Sequence, residues 1–379
     1  MTGLDRAVSA GWILLPVAAL YSISGAQAIA TLLILHWFWS RLDPHALRPV
    51  LVPLAAFLIW TVAAALLAEP ASPDVRGALE KWIFALTLPA AWAWARRQES
   101  IRGPITALLA AGMVILPWGL SVFLSTEGSR AGGFSGSGPH LGSNLMMAFV
   151  VASALAFAAR RAWVAVGLAL SSLLLLAGVG LSLNRSALLG AIVAAVLICA
   201  RRRPLLLAAG LALVAAGVTA FPLSKPALRL RSALLFNVDD TARERALMWA
   251  GGCRMIRARP LAGFTSRSRF ADAYSAEYRD AQSREPRPGH VHNSYLQAAV
   301  LHGIPGLGLL LWWLAGLVRL ALRSREAAAV PLLVAVFVNA GFDFVLADGQ
   351  HALMWFALVG LLLGSGVRAA LGARAGRRV

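Results

Sequence analysis

Charge is scarce in this chain. Only 14% of its 379 residues are Asp, Glu, Lys or Arg, while 59% are hydrophobic. A soluble domain carries about a quarter of its residues as charged side chains, so a water-soluble globule is excluded and a transmembrane bundle is the class that fits. Cysteine is almost missing as well. Its two copies, Cys199 in an apolar stretch and Cys253 in a polar loop, fall on opposite sides of the expected membrane, which excludes a disulfide framework and a paired-cysteine metal site. Acid is short relative to base: 17 Asp and Glu against 35 Lys and Arg, nearly all Arg, for a net charge of +18. In a soluble protein that balance would point to nucleic acid, but in an apolar chain the positive-inside rule accounts for much of it. No Walker A loop, Gly-x-Ser-x-Gly elbow or Asp-x-Asp motif is present, which disfavours ATP-driven transport, serine hydrolysis and nucleotide-sugar transfer. Internal repeats are also missing, and the first apolar stretch (7–23) lacks a small-residue cleavage site, so it is expected to stay as a helix.

What is present is a series of apolar runs long enough to cross a bilayer, about twelve in all. They are expected near 7–22, 25–40, 49–68, 79–95, 104–124, 141–159, 162–182, 186–200, 204–221, 294–318, 327–346 and 350–369. The expected fold is an all-α polytopic membrane protein with one large periplasmic loop containing short amphipathic helices. The chain divides into helices 1–9 over residues 1–221, a loop domain over 222–292, and helices 10–12 with a cytoplasmic tail over 293–379. Orientation follows from the short connections. One side collects Arg6, Arg41, Arg48, Arg96, Arg97, Arg102, Arg160, Arg161, Arg201, Arg202 and Arg203, then Arg319, Arg323, Arg325 and the Arg-rich tail. The other side holds only Arg76, Lys81, Arg130 and Arg185. That asymmetry places both termini in the cytoplasm.

The polar segment from about Phe221 to Asn293 then lies outside. It carries thirteen Lys and Arg against seven Asp and Glu, in a compartment where the positive-inside rule prefers none. Arg offers a planar fork for phosphate oxygens, whereas attraction to anionic lipid headgroups is the blander account. Two helices are expected in it. One spans 241–258 with Thr241 as its N-cap and Pro260 just beyond; the other spans 266–281 and sets Phe270, Tyr274 and Tyr278 on one stripe, suited to packing on the bundle or membrane surface.

Two further features concentrate chemistry on the same side. Leu183-Asn184-Arg185-Ser186 is a sharp polar break between apolar runs, and an Arg at membrane depth is a functional candidate unless it snorkels to the interface. His290-Val291-His292-Asn293-Ser294-Tyr295 marks the return of the loop to the membrane, where a neutral imidazole can act as general base on a sugar hydroxyl. His290 and His292 would share a face if extended, but no third metal ligand is evident beside them, and His351 lies on another connection with Asp343 and Asp348. No metal or other cofactor is expected.

These residues carry a resemblance. His292-Asn293, followed after nine residues by Gly303-Ile304-Pro305-Gly306, is similar to the H-[NSQ]-x9-G-x-x-G pattern of O-antigen ligases. Leu183-Asn184-Arg185-Ser186-Ala187-Leu188-Leu189-Gly190 resembles the S-R-x-A-x-x-G segment of that family, with Asn184 where a small residue is usual. Arg245-Ala246-Leu247-Met248-Trp249 and Pro260-Leu261-Ala262-Gly263 resemble its R-x-x-x-W…P-x-x-G stretch. The resemblance covers about the latter half of the chain. It implies a bacterial inner-membrane enzyme moving a glycan from an undecaprenyl diphosphate carrier to the lipid A–core oligosaccharide, at the periplasmic face, without nucleotide or metal. It further implies Arg185 and Arg245 as the diphosphate grip and His292 as the base. Arg130, Asn184, Arg243, His290, Asn293 and Tyr295 would line the substrate site. O-antigen polymerases and protein O-oligosaccharyltransferases share the superfamily and the donor. A lipid or anion transporter is the alternative of a different class, although it should show repeated halves.

Overall fold

A computed structural model describes residues 3–40, 47–68, 73–80, 82–125, 138–200, 240–324 and 326–375. Helices are the regular structure of the described residues, with no strand among them. The helices are α1 Gly3–Tyr21, α2 Ile23–Trp39, α3 Arg48–Ala68, α4 Val75–Leu79, α5 Thr87–Arg97, α6 Arg102–Ser125, α7 Gly138–Ala158, α8 Ala162–Leu181 and α9 Arg185–Ala200. After them come α10 Asp240–Ala258, α11 Arg267–Ala273, α12 Ser294–Arg323, α13 Ala329–Ala340 and α14 Gly349–Ala375. The expected ninth span at 204–221, Arg130, and the loop up to residue 239 lie outside the described residues.

Among the described residues six helices (α1, α3, α6, α7, α8 and α12) are long and apolar enough to cross a membrane, and α2, α9 and α13 are shorter apolar helices. Their outer faces suit lipid: α6 exposes Val114, Trp118 and Leu124, and α8 exposes Trp163, Val166, Leu170 and Leu173. In water such contiguous apolar surface would drive association. The expected fourth span is interrupted. Residues 79–95 comprise the end of α4, a 3₁₀ turn at Ile83–Leu86 and most of the short α5. This stretch is buried under α14, where small residues permit backbone approach. A Cβ on Gly360 would lie 2.4 Å from the Leu88 carbonyl oxygen, and one on Gly364 would lie 2.5 Å from that of Trp92.

The loop forms its own small core on the head of the bundle. Met248 and Met255 from α10, Phe264, Phe270 and Tyr274 close on Val291, Val300 and Leu301. The aromatic stripe therefore packs inward onto α10 and α12, with Phe270 and Tyr274 fully buried. The second loop helix stops short of the expected 281. It widens into a π turn at Tyr274–Tyr278, and the Arg254 guanidinium donates to the freed Tyr278 carbonyl at 2.6 Å.

What fastens the loop is a break in α12. Gly303 has φ +71° and ψ −179°, outside helical geometry, and Pro305 has no N–H to give its helix. The freed carbonyls all find donors, as buried backbone groups must. Val300 O accepts from Phe264 N at 2.9 Å and Leu301 O from Thr265 N at 2.7 Å. His302 O accepts from the Trp60 indole at 2.8 Å. The displaced Ile304 N–H donates to Pro260 O at 2.8 Å. The Pro260–Gly263 and Gly303–Gly306 motifs are thus two halves of one strap. Gly263 also has positive φ (+67°), and its missing Cβ makes room for the Leu301 carbonyl.

Candidate functional site

The site is built from helix ends that meet at one end of the bundle. Asn293 is the N-cap of α12: its side-chain oxygen accepts from Tyr295 N and Leu296 N, satisfying two orphan donors of the first turn. Its amide nitrogen donates to Gly341 O at 2.8 Å, beyond the end of α13. Ser294 extends this junction, with its hydroxyl donating to Asp343 O at 2.9 Å and accepting from Val345 N at 3.0 Å. The Tyr295 hydroxyl donates to Phe337 O at 3.0 Å. The start of α12 is therefore bonded to the α13–α14 connection at several points, and that connection is held beside His292.

His292 occupies the left-handed backbone region at φ +51°, a conformation that costs a non-glycine residue about 1–3 kcal/mol. The bend turns its ring onto Asp343, with Nδ1 3.2 Å from Oδ1. The backbone N–H of His292 donates to Nδ1 of His290 at 3.3 Å. The two rings meet edge to face at 4.3 Å, and Phe344 covers His290 with ring centroids 5.2 Å apart. Burial, reinforced by the neighbouring His292, pushes the His290 pKa down to about 4, so its ring is neutral at pH 7. Its Nδ1 already accepts a hydrogen bond, so the proton sits on Nε2 and the accepting nitrogen is engaged.

Asp343 behaves oppositely. Burial alone would favour its neutral form, but the hydrogen bond from His292 and the charge of Arg245 outweigh that and hold the carboxyl well below the usual carboxylate range. The same influence shows that Arg245, on α10, stands close to the His292–Asp343 pair. An ionised carboxylate on Nδ1 selects the tautomer whose Nε2 is a free acceptor, the orientation a general base requires.

Asn184 caps α9: its Oδ1 accepts from the Ser186 hydroxyl at 2.8 Å and from Ala187 N at 3.1 Å. Its amide donates to the Ser143 hydroxyl at 3.2 Å, which also accepts from Asn339 at 3.0 Å. The preceding Leu183 takes φ +53°, so Asn184 completes a tight turn between α8 and α9. Arg185 follows as the half-buried first residue of α9, linked through Ser143 and Asn339 to the helix ends that carry Asn293 and Asp343. At the other end of this motif, Gly190 lets α9 meet α13: a Cβ there would lie 2.6 Å from Ala335 O.

Arg243, one helical turn before Leu247, is exposed and donates to Gln282, so it is engaged within the loop. Glu244 beside it accepts from the Ser283 hydroxyl and from Arg284 N at 3.0 Å, pinning the segment that leads to His290. Arg267 donates to Gly289 O at 3.0 Å from the other side. Arg130 lies outside the described residues. The structure therefore brings His290, His292, Asn293, Tyr295 and Arg245 together, and sets Asn184 and Arg185 at the same end of the bundle.

Asp343 is the residue that sequence reasoning placed poorly. It was set beside Asp348 and His351, away from His292, although the expected span ran to 346; α13 ends at Ala340 and leaves Asp343 in the connection that meets His292. The available signal was the polar break running through Asn339, Asp343, Asp348 and His351, like the one that singled out Arg185. The expectation that His290 and His292 lack a third ligand is corrected as well. His290, His292 and Asp343 each offer a ligand atom, all within 4.8 Å of one another. Three such donors could hold a divalent ion, although the Arg245 charge beside Asp343 works against one there.

The fold and site define a helical membrane protein whose polar helix ends and a folded loop assemble a His–carboxylate pair beside arginine. Over residues 170–311 the chain matches the family model described as O-antigen ligase. That stretch runs from α8 to the middle of α12 and holds Arg185, Arg245 and His292, so the resemblance to the O-antigen ligase superfamily is borne out there. None of the curated proteins matches the chain.

Proposed function

We propose that the protein is an O-antigen ligase of the bacterial inner membrane. It would transfer a glycan from an undecaprenyl diphosphate donor to the lipid A–core oligosaccharide, with residues 222–292 and the transfer site at the periplasmic face. The observation that carries this reading is the His292–Asp343 pair beside Arg245, with His292 and Arg245 inside the stretch that matches the family. Nε2 of His292 takes the proton from the acceptor hydroxyl, and the freed oxygen attacks the anomeric carbon. The bond from that carbon to the diphosphate oxygen breaks, inverting the centre. Arg185 and Arg245 neutralise the charge that develops on the departing diphosphate. Asp343 holds the imidazole and stabilises it once protonated. Diphosphate is a good leaving group, so this chemistry requires a base and charge stabilisation and no nucleotide. Arg130, Arg243 and His290 would border the glycan and headgroups, while Asn184, Asn293 and Tyr295 set the helix ends on which the site rests. Apolar grooves between spans would take the polyprenyl tail and the acyl chains.

The test is ligation by purified protein given lipid A–core and a polyprenyl-diphosphate glycan, without added metal or nucleotide. Glycan appearing on lipid A–core supports the reading. Lengthening of the donor glycan without transfer to lipid A–core would instead identify the polymerase of the same superfamily.

A further inference from the structure

A second cluster of titratable side chains lies outside the transfer site, where the head of α7 meets the start of α14. It consists of His140, Asp348 and His351, each offering one ligand atom, all within 4.8 Å of one another. Nε2 of His140 faces Oδ2 of Asp348 at 3.5 Å, while its Nδ1 lies 3.4 Å from the Gln350 side-chain oxygen. With the Nδ1 proton given to Gln350, Nε2 and the carboxylate face each other as two lone-pair donors, and either a proton or a metal ion must lie between them. Opposite stands His351, whose ring meets that of His140 edge to face at 4.7 Å. His351 is only 3% exposed, and neither of its ring nitrogens has a hydrogen-bond partner among the described residues. A buried imidazole with both nitrogens unsatisfied is costly unless something else occupies them.

We propose that His140, Asp348 and His351 form a binding site for a divalent first-row transition-metal ion of the Zn²⁺ class, separate from the glycan-transfer site. Two imidazoles and one carboxylate are a donor set such ions favour. The 3.5 Å between His140 Nε2 and Asp348 Oδ2 is close to the roughly 3.4 Å edge of a tetrahedron with Zn–N and Zn–O bonds near 2.0–2.1 Å. Gln350 acts as the outer partner that fixes the ligating tautomer. His140 and Asp348 retain 35% and 22% of their side-chain exposure, which leaves a path for the ion and room for a fourth, solvent ligand. The groups acting electrostatically on His351 are Asp348, His140 and Asp343, two of them carboxylates. This contrasts with the His290–His292–Asp343 cluster, where Arg245 acts on the carboxylate. The bound ion ties α7 to the connection that carries Asp343, and so steadies the partner of His292 without entering the transfer chemistry.

The experiment uses full-length protein without a histidine tag, stripped with chelator, dialysed and titrated with Zn²⁺. Zn²⁺ content by elemental analysis and the thermal midpoint are the readouts, with Co²⁺ absorption as a check on ligand geometry. About one equivalent should bind and raise the midpoint, and His140→Gln and His351→Gln should each weaken binding at least tenfold. His290→Gln should leave it unchanged. Because His140 is partly exposed, its variant should remain folded, and donor binding verifies this. Absence of a bound equivalent in the parent protein overturns the proposal. So does binding that survives both His140→Gln and His351→Gln, or binding lost in His290→Gln instead.

Discussion

His290 and His292 are two residues apart and chemically identical, yet their surroundings give them different work. His292 has its Nδ1 on the Asp343 carboxylate and keeps Nε2 free, whereas His290 uses Nδ1 to accept the His292 backbone N–H. Loss of a general base costs about 10²–10⁴-fold in rate, so His292→Ala should lower ligation by that order while donor binding is largely kept. His290→Ala should be far milder. Proportional loss of donor binding and activity in His292→Ala would instead make His292 a phosphate ligand. The pH behaviour of His290 follows from its burial. Its folded pKa near 4 lies below the usual value near 6.5, so as pH falls below that value the unfolded chain binds a proton that the folded chain refuses. Stability then drops with acid until about pH 4. Thermal midpoints measured from pH 7 to pH 5 should therefore fall less steeply in His290→Gln than in the parent, and equal slopes would refute this assignment. At the proposed diphosphate grip, Arg185→Lys and Arg245→Lys should both lose most of the transfer rate, because an ammonium cannot reproduce a forked contact. A fully active Lys variant would reduce that residue to diffuse charge.

At the scale of elements, the decisive feature is the break in α12 and the loop strapped into it. Three carbonyls freed by Gly303 and Pro305 are taken by Phe264, Thr265 and Trp60, so the break and the docking of the loop are one event. Replacing Gly303 tests this directly. An alanine there must hold φ +71°, and its Cβ would stand 1.8 Å from the Leu261 carbonyl oxygen. Gly303→Ala should cost about 3 kcal/mol or more, read as a large fall in thermal midpoint and faster proteolysis of the loop. Gly308→Ala, where a Cβ meets nothing within 4 Å, should be neutral or slightly stabilising. Comparable damage from both substitutions would remove the strap from the account.

At the scale of the whole molecule, the candidate functional side chains share one end of the bundle, and the proposed mechanism needs that end in the periplasm. The arginine asymmetry of the short connections predicts it. Glu277 is exposed on the loop and suits a labelling test in a background lacking Cys199 and Cys253. An impermeant maleimide should label Glu277→Cys in cells whose outer membrane alone is permeabilised. Labelling only after the inner membrane is opened would reverse the topology and remove lipid A–core as the acceptor.

The membrane class, most helix positions and the chemical types at the site were readable from order along the chain. Apolar run length is a local property, arginine bias is summed over short connections, and the spacing from His292 to Gly303 lies within one segment. Even the loop helix ending near Ala258 was marked by Pro260. The partner of His292 was not readable, because Asp343 lies 51 residues on and only the packing of α12 against α13 brings it near. The interrupted helix at 79–95 was hidden for a related reason. Its composition suits a span, and Gly360 and Gly364 of α14, which close on Leu88 and Trp92 in its second half, lie far along the chain. His140 and His351 likewise become neighbours only where two helix ends converge. Local pattern therefore determined which segments are helices and where polar groups emerge, while long-range packing decided which of those groups meet.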